Sequence, residues 1–212
     1  QELQLMQAMH IIHEHAAEWA IDEQAVFTCG FSAGGHIAAS VATRWNDPSL
    51  TSRLAFEPQG TELRPAGSIL CYPMLTADMR DFYQRMRNVP GNIAWQAELI
   101  LDALFSTTNP TDEQLEETNL VRYVGAQVPP IFVWHSIDDP VVDPLATTRF
   151  VLALQEQGIP CEYHLYGSGG HGLACANEQY AKCPSDVSPK VATWIPMAVT
   201  WMKECRQASY HH

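Results

Sequence analysis

Apolar residues recur at helical spacing near the start of the chain. Leu5, Met9, Ile12, Ala16 and Trp19 fall on one face and predict an amphipathic helix over residues 3–20. The period then changes. Ala25-Val26-Phe27-Thr28-Cys29 is a short run of apolar, β-branched and aromatic residues, and Ser68–Tyr72, Ile131–His135 and Cys161–Tyr166 have the same character. Each has the length of a buried strand, and Pro73 stops the second. Helix-compatible segments alternate with them: Ile37 to Trp45, Pro144 to Gln157 (ended by Gly158 and Pro160) and Val191 to Arg206. Residues 46–66, rich in Pro, Asp and Ser, read as loop. Residues 78–124 are polar and mostly helical, with breaks near Pro90-Gly91 and Asn109-Pro110.

Strands alternating with helices predict an α/β fold, with a mostly parallel sheet covered by helices on both faces. No repeat, low-complexity tract or linker divides the 212 residues, so a single domain is expected. The 78–124 segment is expected as a helical insert that caps the C-terminal edge of the sheet, where such folds bind ligands.

Composition narrows the function. A formal net charge of −12 argues against nucleic acid or an anionic membrane as partner. No apolar run is long enough to span a bilayer. The opening QELQLMQAMH has neither the basic start nor the apolar core of a secretory leader. With six cysteines, that points to the cytoplasm. Cys29 and Cys71 fall in predicted strands and are expected as small buried hydrophobes, whereas Cys175 and Cys183 share one loop and could pair or stay free. No Cys/His set has zinc spacing. Of His10, His13 and His15 only the first two share a helix face, so a solvated helix is expected there and not a metal site.

The chemistry is carried by GFSAGGH, Gly30 to His36. Gly30-x-Ser32-x-Gly34 between a strand and a helix is the pattern of a nucleophile elbow, in which a serine occupies a sharp, strained turn. Its neighbours must be small because two backbone segments nearly touch. Gly30 and Gly34 meet that need, and Gly35 adds room. The N–H groups opening the following helix suit a developing negative charge, and that of Ala33 is the candidate oxyanion donor.

A serine hydroxyl needs a base, and the base needs an orienting acid. HSIDDPVVDP (135–144) and GSGGHGL (167–173) each follow a predicted strand, so both reach the same sheet edge as the elbow. His171 is the candidate base. The acid is Asp139 or Asp138, with Asp139 preferred. Its neighbour would brace the loop or face solvent. Asp143 is expected to cap the helix from Pro144. His36 reads as a helix-face residue, His135 as a loop brace and His164 as structural.

On these residues the chain resembles the α/β-hydrolase esterases, in particular the bacterial carbohydrate acetyl-esterase group. The segments that carry the resemblance run from HEHAAEWAIDEQAVFTCGFSAGGHIAASVATRW through ILCYPML and NPTDEQLEETNLVRYV to PPIFVWHSIDDPVVDPLATTRFVLALQEQGIPCEYHLYGSGGHGLA and VATWIPMAVTWM. The resemblance implies nucleophile Ser32, acid Asp139 and base His171. It also implies a small-molecule ester substrate such as an acetylated sugar, and no metal or organic cofactor. The family's early strands, and its His-Gly-Gly type loop with a second oxyanion donor, have no counterpart before residue 25. A C-terminal portion of a larger hydrolase is therefore expected, unless a partner chain, as in a homo-oligomer, completes the sheet. Trp95, Phe82 and Tyr83 either line a substrate pocket or form the insert's own core. A peptidase of the prolyl-oligopeptidase type fits less well, because Ala33 stands where such enzymes carry a bulky aromatic. A binding module that kept the fold and lost catalysis is the remaining alternative.

Overall fold

The structure is a computed structural model that describes residues 1–86, 88–89 and 97–209. Pro90-Gly91, Trp95 and the terminal His211-His212 lie outside the described residues. Four strands, β1 (Phe27–Phe31), β2 (Gly67–Cys71), β3 (Ile131–Ser136) and β4 (Cys161–Tyr166), form one parallel sheet in the order β1-β2-β3-β4. β1 begins two residues later than the apolar run, because residues Glu23–Ala25 close a 3-10 turn capped by Asp22. β2 and β3, mostly apolar, are buried along their whole length, as central strands of a parallel sheet covered on both faces must be.

One face of the sheet carries α3 (Ala33–Arg44) and α8 (Pro144–Glu156), where Ala38, Ala42, Leu70, Val133, Phe150 and Leu154 share a core. The other face carries α10 (Trp194–Ser209), with Ile69, Phe132, Trp134, Trp194 and Trp201 in a second core. The predicted last helix is split. A short α9 (Pro189–Ala192) precedes α10, whose Pro196 falls in the first turn, where the missing N–H would have no partner anyway.

The predicted N-terminal helix is also split, into α1 (Glu2–Glu14) and α2 (Ala16–Trp19). α1 packs against α3. Its buried stripe is Met6 and Met9, continued by Ala16, whereas Trp19 is 48% exposed and Ile12 half-buried. The break at His15 separates α2 from α1, and Trp19 stacks on His15 with ring centroids 4.8 Å apart; a left-handed Ala20 then ends α2. Cys29 departs from expectation too: it is exposed, while Cys71 on the neighbouring strand is buried. β1 is the edge strand of the sheet; α10 meets its two ends, where Phe27 packs on Trp201 and Phe31 on Trp194, and Cys29 between them stays open. Cys175 and Cys183 are both free.

α4 (Pro48–Thr51) sits in the loop before β2; between β2 and β3 lie α5 (Arg80–Met86), α6 (Ala97–Phe105) and α7 (Asp112–Glu117), followed by a 3-10 turn, Leu120–Tyr123. α7 starts on a reciprocal cap in which Thr111 and Gln114 exchange side-chain and backbone bonds. Among the described residues, no helix is long and apolar enough to cross a membrane, and no group of three or more His, Cys, Asp or Glu is placed to hold a metal ion.

Candidate active site

Ser32 stands between the last residue of β1 and the first of α3, with φ 52° and ψ −118°. That backbone is strained for a residue with a side chain, and it is held from outside. The Ser32 N–H donates to the Cys71 carbonyl (3.0 Å), and the Ser32 carbonyl accepts from Met74 N–H (3.1 Å) and His36 N–H (3.2 Å). Strand β2 and its continuation thus clamp the elbow.

The glycines divide their work differently from the motif's reading. A methyl group on Gly30 would fall on the Gly34 carbonyl oxygen and lie 2.8 Å from the Gly35 nitrogen. One on Gly35 would press into Pro73 at 2.8 Å. At Gly34 a methyl group would meet nothing within 4 Å among the described residues. The two glycines that flank the serine in the motif should therefore respond with opposite signs. Gly30→Ala is expected to destabilise by about 3 kcal/mol, since the obstructing atoms are backbone. Gly34→Ala, inside α3, is expected to stabilise by about 0.5–1 kcal/mol through helix propensity. Urea midpoints of the two variants test this, and equal shifts would overturn it.

Three strand ends converge on Ser32. Its hydroxyl donates to His171 Nε2 (2.9 Å), in the loop after β4. His171 Nδ1–H donates to Asp139 Oδ2 (2.7 Å), in the loop after β3. Asp139 Oδ1 accepts from the N–H groups of Val141 (2.8 Å) and Val142 (2.9 Å). Asp138 points elsewhere and accepts from Gly170 N–H (2.8 Å), which ties the acid loop to the base loop. Asp143 caps α8 through Leu145 N–H (3.1 Å) and also pairs with Arg85 of α5 (2.8 Å). Ala33, at the first turn of α3, is exposed beside the serine.

Asp139 is 1% exposed. Burial pushes its carboxyl up, but hydrogen bonds from His135 and His171, aided by attraction to both rings, outweigh this and hold it below the usual carboxylate range. His36 donates from Nδ1 to the Met74 carbonyl (2.8 Å), and burial holds its pKa below the ordinary histidine value against that bond and the pull of Glu2. Both groups bind protons more readily when unfolded. His36 contributes stability that is complete above about pH 6.5 and declines below it, and Asp139 adds a second decline below about pH 4. The urea midpoint should accordingly be flat above neutrality and fall as the pH drops from 7 to 3. A midpoint independent of pH over that range would contradict the burial argument.

Two contributors escaped the sequence reading. Tyr72, at positive φ (39°) beyond the end of β2, sets its ring edge-to-face on His171 with centroids 4.9 Å apart, and its hydroxyl accepts from Ala174 N–H (3.1 Å). Its place at a strand end beside Pro73 was the available signal. His135 lies near the end of β3, fully buried, and does brace the following loop; what escaped is that it does so through the candidate acid, donating from Nε2 to Asp139 Oδ2 (3.0 Å). His164 stays structural on β4, bonded to Glu162 at 2.6 Å. Phe82 is buried and Tyr83 half-buried beside it. Phe82 borders a cavity of about 210 Å³ that adjoins Asp139, Ile137, Leu145 and Leu165, on the acid's side of the site. A larger cleft of about 950 Å³ lies at the opposite end of the strands, against Ala66, Pro130 and Pro160.

Comparison with known proteins agrees with this architecture. A family model described as alpha/beta hydrolase fold matches residues 3–175. Over 176 residues the chain is 30% identical to endo-1,4-beta-xylanase B of Butyrivibrio fibrisolvens, covering 83% of this chain and 25% of that one. It is 27% identical over 170 residues to an acetylxylan esterase of Xylanibacter ruminicola, covering 79% and 30%. The chain thus spans less than a third of the length of either relative. The crystal structure of a carboxylesterase from Lactobacillus plantarum superposes with a TM-score of 0.74 at 29% identity, covering 96% of this chain and 66% of that one. The family match takes in β1, the elbow, β3 and β4, and the chain belongs to the α/β-hydrolase fold family.

Proposed function

We propose that this chain is a serine carboxylesterase that hydrolyses small acyl esters, acetyl groups on sugars foremost. One observation carries the reading: an unbroken hydrogen-bond chain runs from Ser32 Oγ through His171 to a buried Asp139 at one edge of the sheet. In the proposed reaction His171 Nε2 takes the Ser32 proton as Oγ attacks the ester carbonyl. Asp139 holds the ring in the Nδ1–H tautomer and stabilises the imidazolium. The oxyanion forms against the Ala33 N–H, at the positive end of the α3 dipole. The carbonyl re-forms, the C–O bond to the alcohol breaks, and the alcohol leaves with the proton from His171. Water, deprotonated by His171, then releases the acid and restores Ser32. The acetyl and sugar preference is supported by the names of the xylan-directed relatives.

Hydrolysis of p-nitrophenyl acetate together with stoichiometric labelling by a fluorophosphonate probe is the direct test. A single labelled residue per chain, located at Ser32, is expected. A chain that neither turns over the ester nor takes the probe would sink the proposal in favour of the binding-module reading.

A further inference from the structure

His135 is the one fully buried histidine among the described residues, and its ring is used on both sides. Nε2 lies 3.0 Å from Asp139 Oδ2, and Nδ1 lies 2.8 Å from the hydroxyl of Thr147, itself fully buried on α8. The ionised carboxylate only accepts, so the proton between His135 and Asp139 sits on Nε2. The Thr147 hydroxyl can donate to Nδ1 and so favours that same tautomer. Asp139 Oδ2 therefore accepts from two histidines, His135 at 3.0 Å and His171 at 2.7 Å, while Oδ1 accepts from two backbone N–H groups. All four lone-pair directions of the acid are taken.

We infer that His135 is a positioning residue for the Ser32 reaction: anchored by Thr147 of α8, its Nε2–H fixes the rotation of the Asp139 carboxylate so that the remaining direction on Oδ2 meets His171. This rests on the serine-esterase reading above. The backbone bonds on Oδ1 restrain the carboxylate at one oxygen only, and rotation about that anchor swings Oδ2 past His171. A rigid, buried donor on the second oxygen stops that swing. Two effects of removing it oppose each other. The His171 bond no longer shares its acceptor, which strengthens it modestly. Orientation is also lost, and misplacing a group that aims a reacting one costs about 10- to 100-fold. The second effect is the larger, so activity falls.

The test uses the whole chain with His135→Leu, which removes both ring nitrogens, His135→Gln, which keeps an N–H donor of similar reach, and Thr147→Val, which removes the outer anchor. Circular dichroism and thermal unfolding identify the variants that fold. With p-nitrophenyl acetate, kcat is expected to fall about 10- to 100-fold in His135→Leu with KM changed less than about twofold, and to recover to within about threefold of wild type in His135→Gln. Thr147→Val is expected to lose about 2- to 10-fold, the size of one neutral hydrogen bond. Proton NMR of the low-field ring N–H signals supplies a readout that does not need turnover. The His135 signal should vanish in both His135 variants, and the His171 Nδ1–H signal should move or broaden in His135→Leu and Thr147→Val but stay near wild type in His135→Gln. Folded variants with wild-type kcat and an unmoved His171 signal would overturn the inference. If the wild-type chain itself has no Ser32-dependent turnover, the esterase reading fails separately, and the His171 signal alone decides whether His135 orients Asp139.

Discussion

Ser32→Ala should abolish turnover of p-nitrophenyl acetate, with a loss in kcat on the order of 10⁶, the scale of removing a triad nucleophile. The size follows from what the side chain does. Among the described residues its one hydrogen bond is to His171, so the change removes the attacking oxygen and leaves the scaffold in place. The backbone bonds of Ser32 to Cys71, Met74 and His36 involve no side-chain atom and should survive. Alanine meets the same strain at φ 52° as serine does, so the unfolding midpoint should be nearly unchanged. The variant should also fail to take a fluorophosphonate probe. Retention of more than about one hundredth of wild-type turnover would mean that another group attacks the ester, because the oxyanion donor and binding alone leave only a residual rate.

Asp139→Asn should lower kcat by about 10⁴, the scale of an acid-to-amide change that reverses the base's tautomer. The amide oxygen can still accept from Val141 and Val142. Its NH₂ then faces Oδ2's two former donors, His135 Nε2–H and His171 Nδ1–H. Three donors meet with no acceptor among them, so His171 is expected to shift its proton to Nε2. That proton would point at the Ser32 hydroxyl, and the base could no longer take one. The substitution also removes a buried negative charge held by four donors, so a loss of stability should accompany the loss of rate. Steady-state kinetics beside a urea titration separates the two. A kcat within tenfold of wild type would show that Asp139 neither orients His171 nor stabilises its charged form.

Much of this site was legible along the chain because its requirements are local. An elbow needs a strand, small residues around a serine and a helix, and all of these lie within residues 27–44. The order of serine, acid and histidine follows from strands that each end at the same edge of a parallel sheet. Asp143 was readable as a cap because it precedes a proline that opens a helix. Asp138 and Asp139 were harder. Adjacent residues on a turn point in different directions, and only the fold shows which one meets His171 and which one meets Gly170.

By itself, the sequence determined the α/β alternation, the four strands and the three residues that could work as a triad, since periodicity, turn chemistry and motif spacing act over a few residues. The tertiary structure alone decided which neighbours each residue has at long range. Packing of α1 on α3 selected Met6 over Ile12 and Trp19 for the core, and the place of β1 at the sheet edge left Cys29 exposed. Contact between the elbow and Pro73 made Gly35 indispensable where Gly34 is not. Burial of His135 between Asp139 and Thr147 joined a strand, a loop and a helix around one carboxylate. Such positions depend on register, docking and desolvation, which arise only when distant segments meet and exclude water.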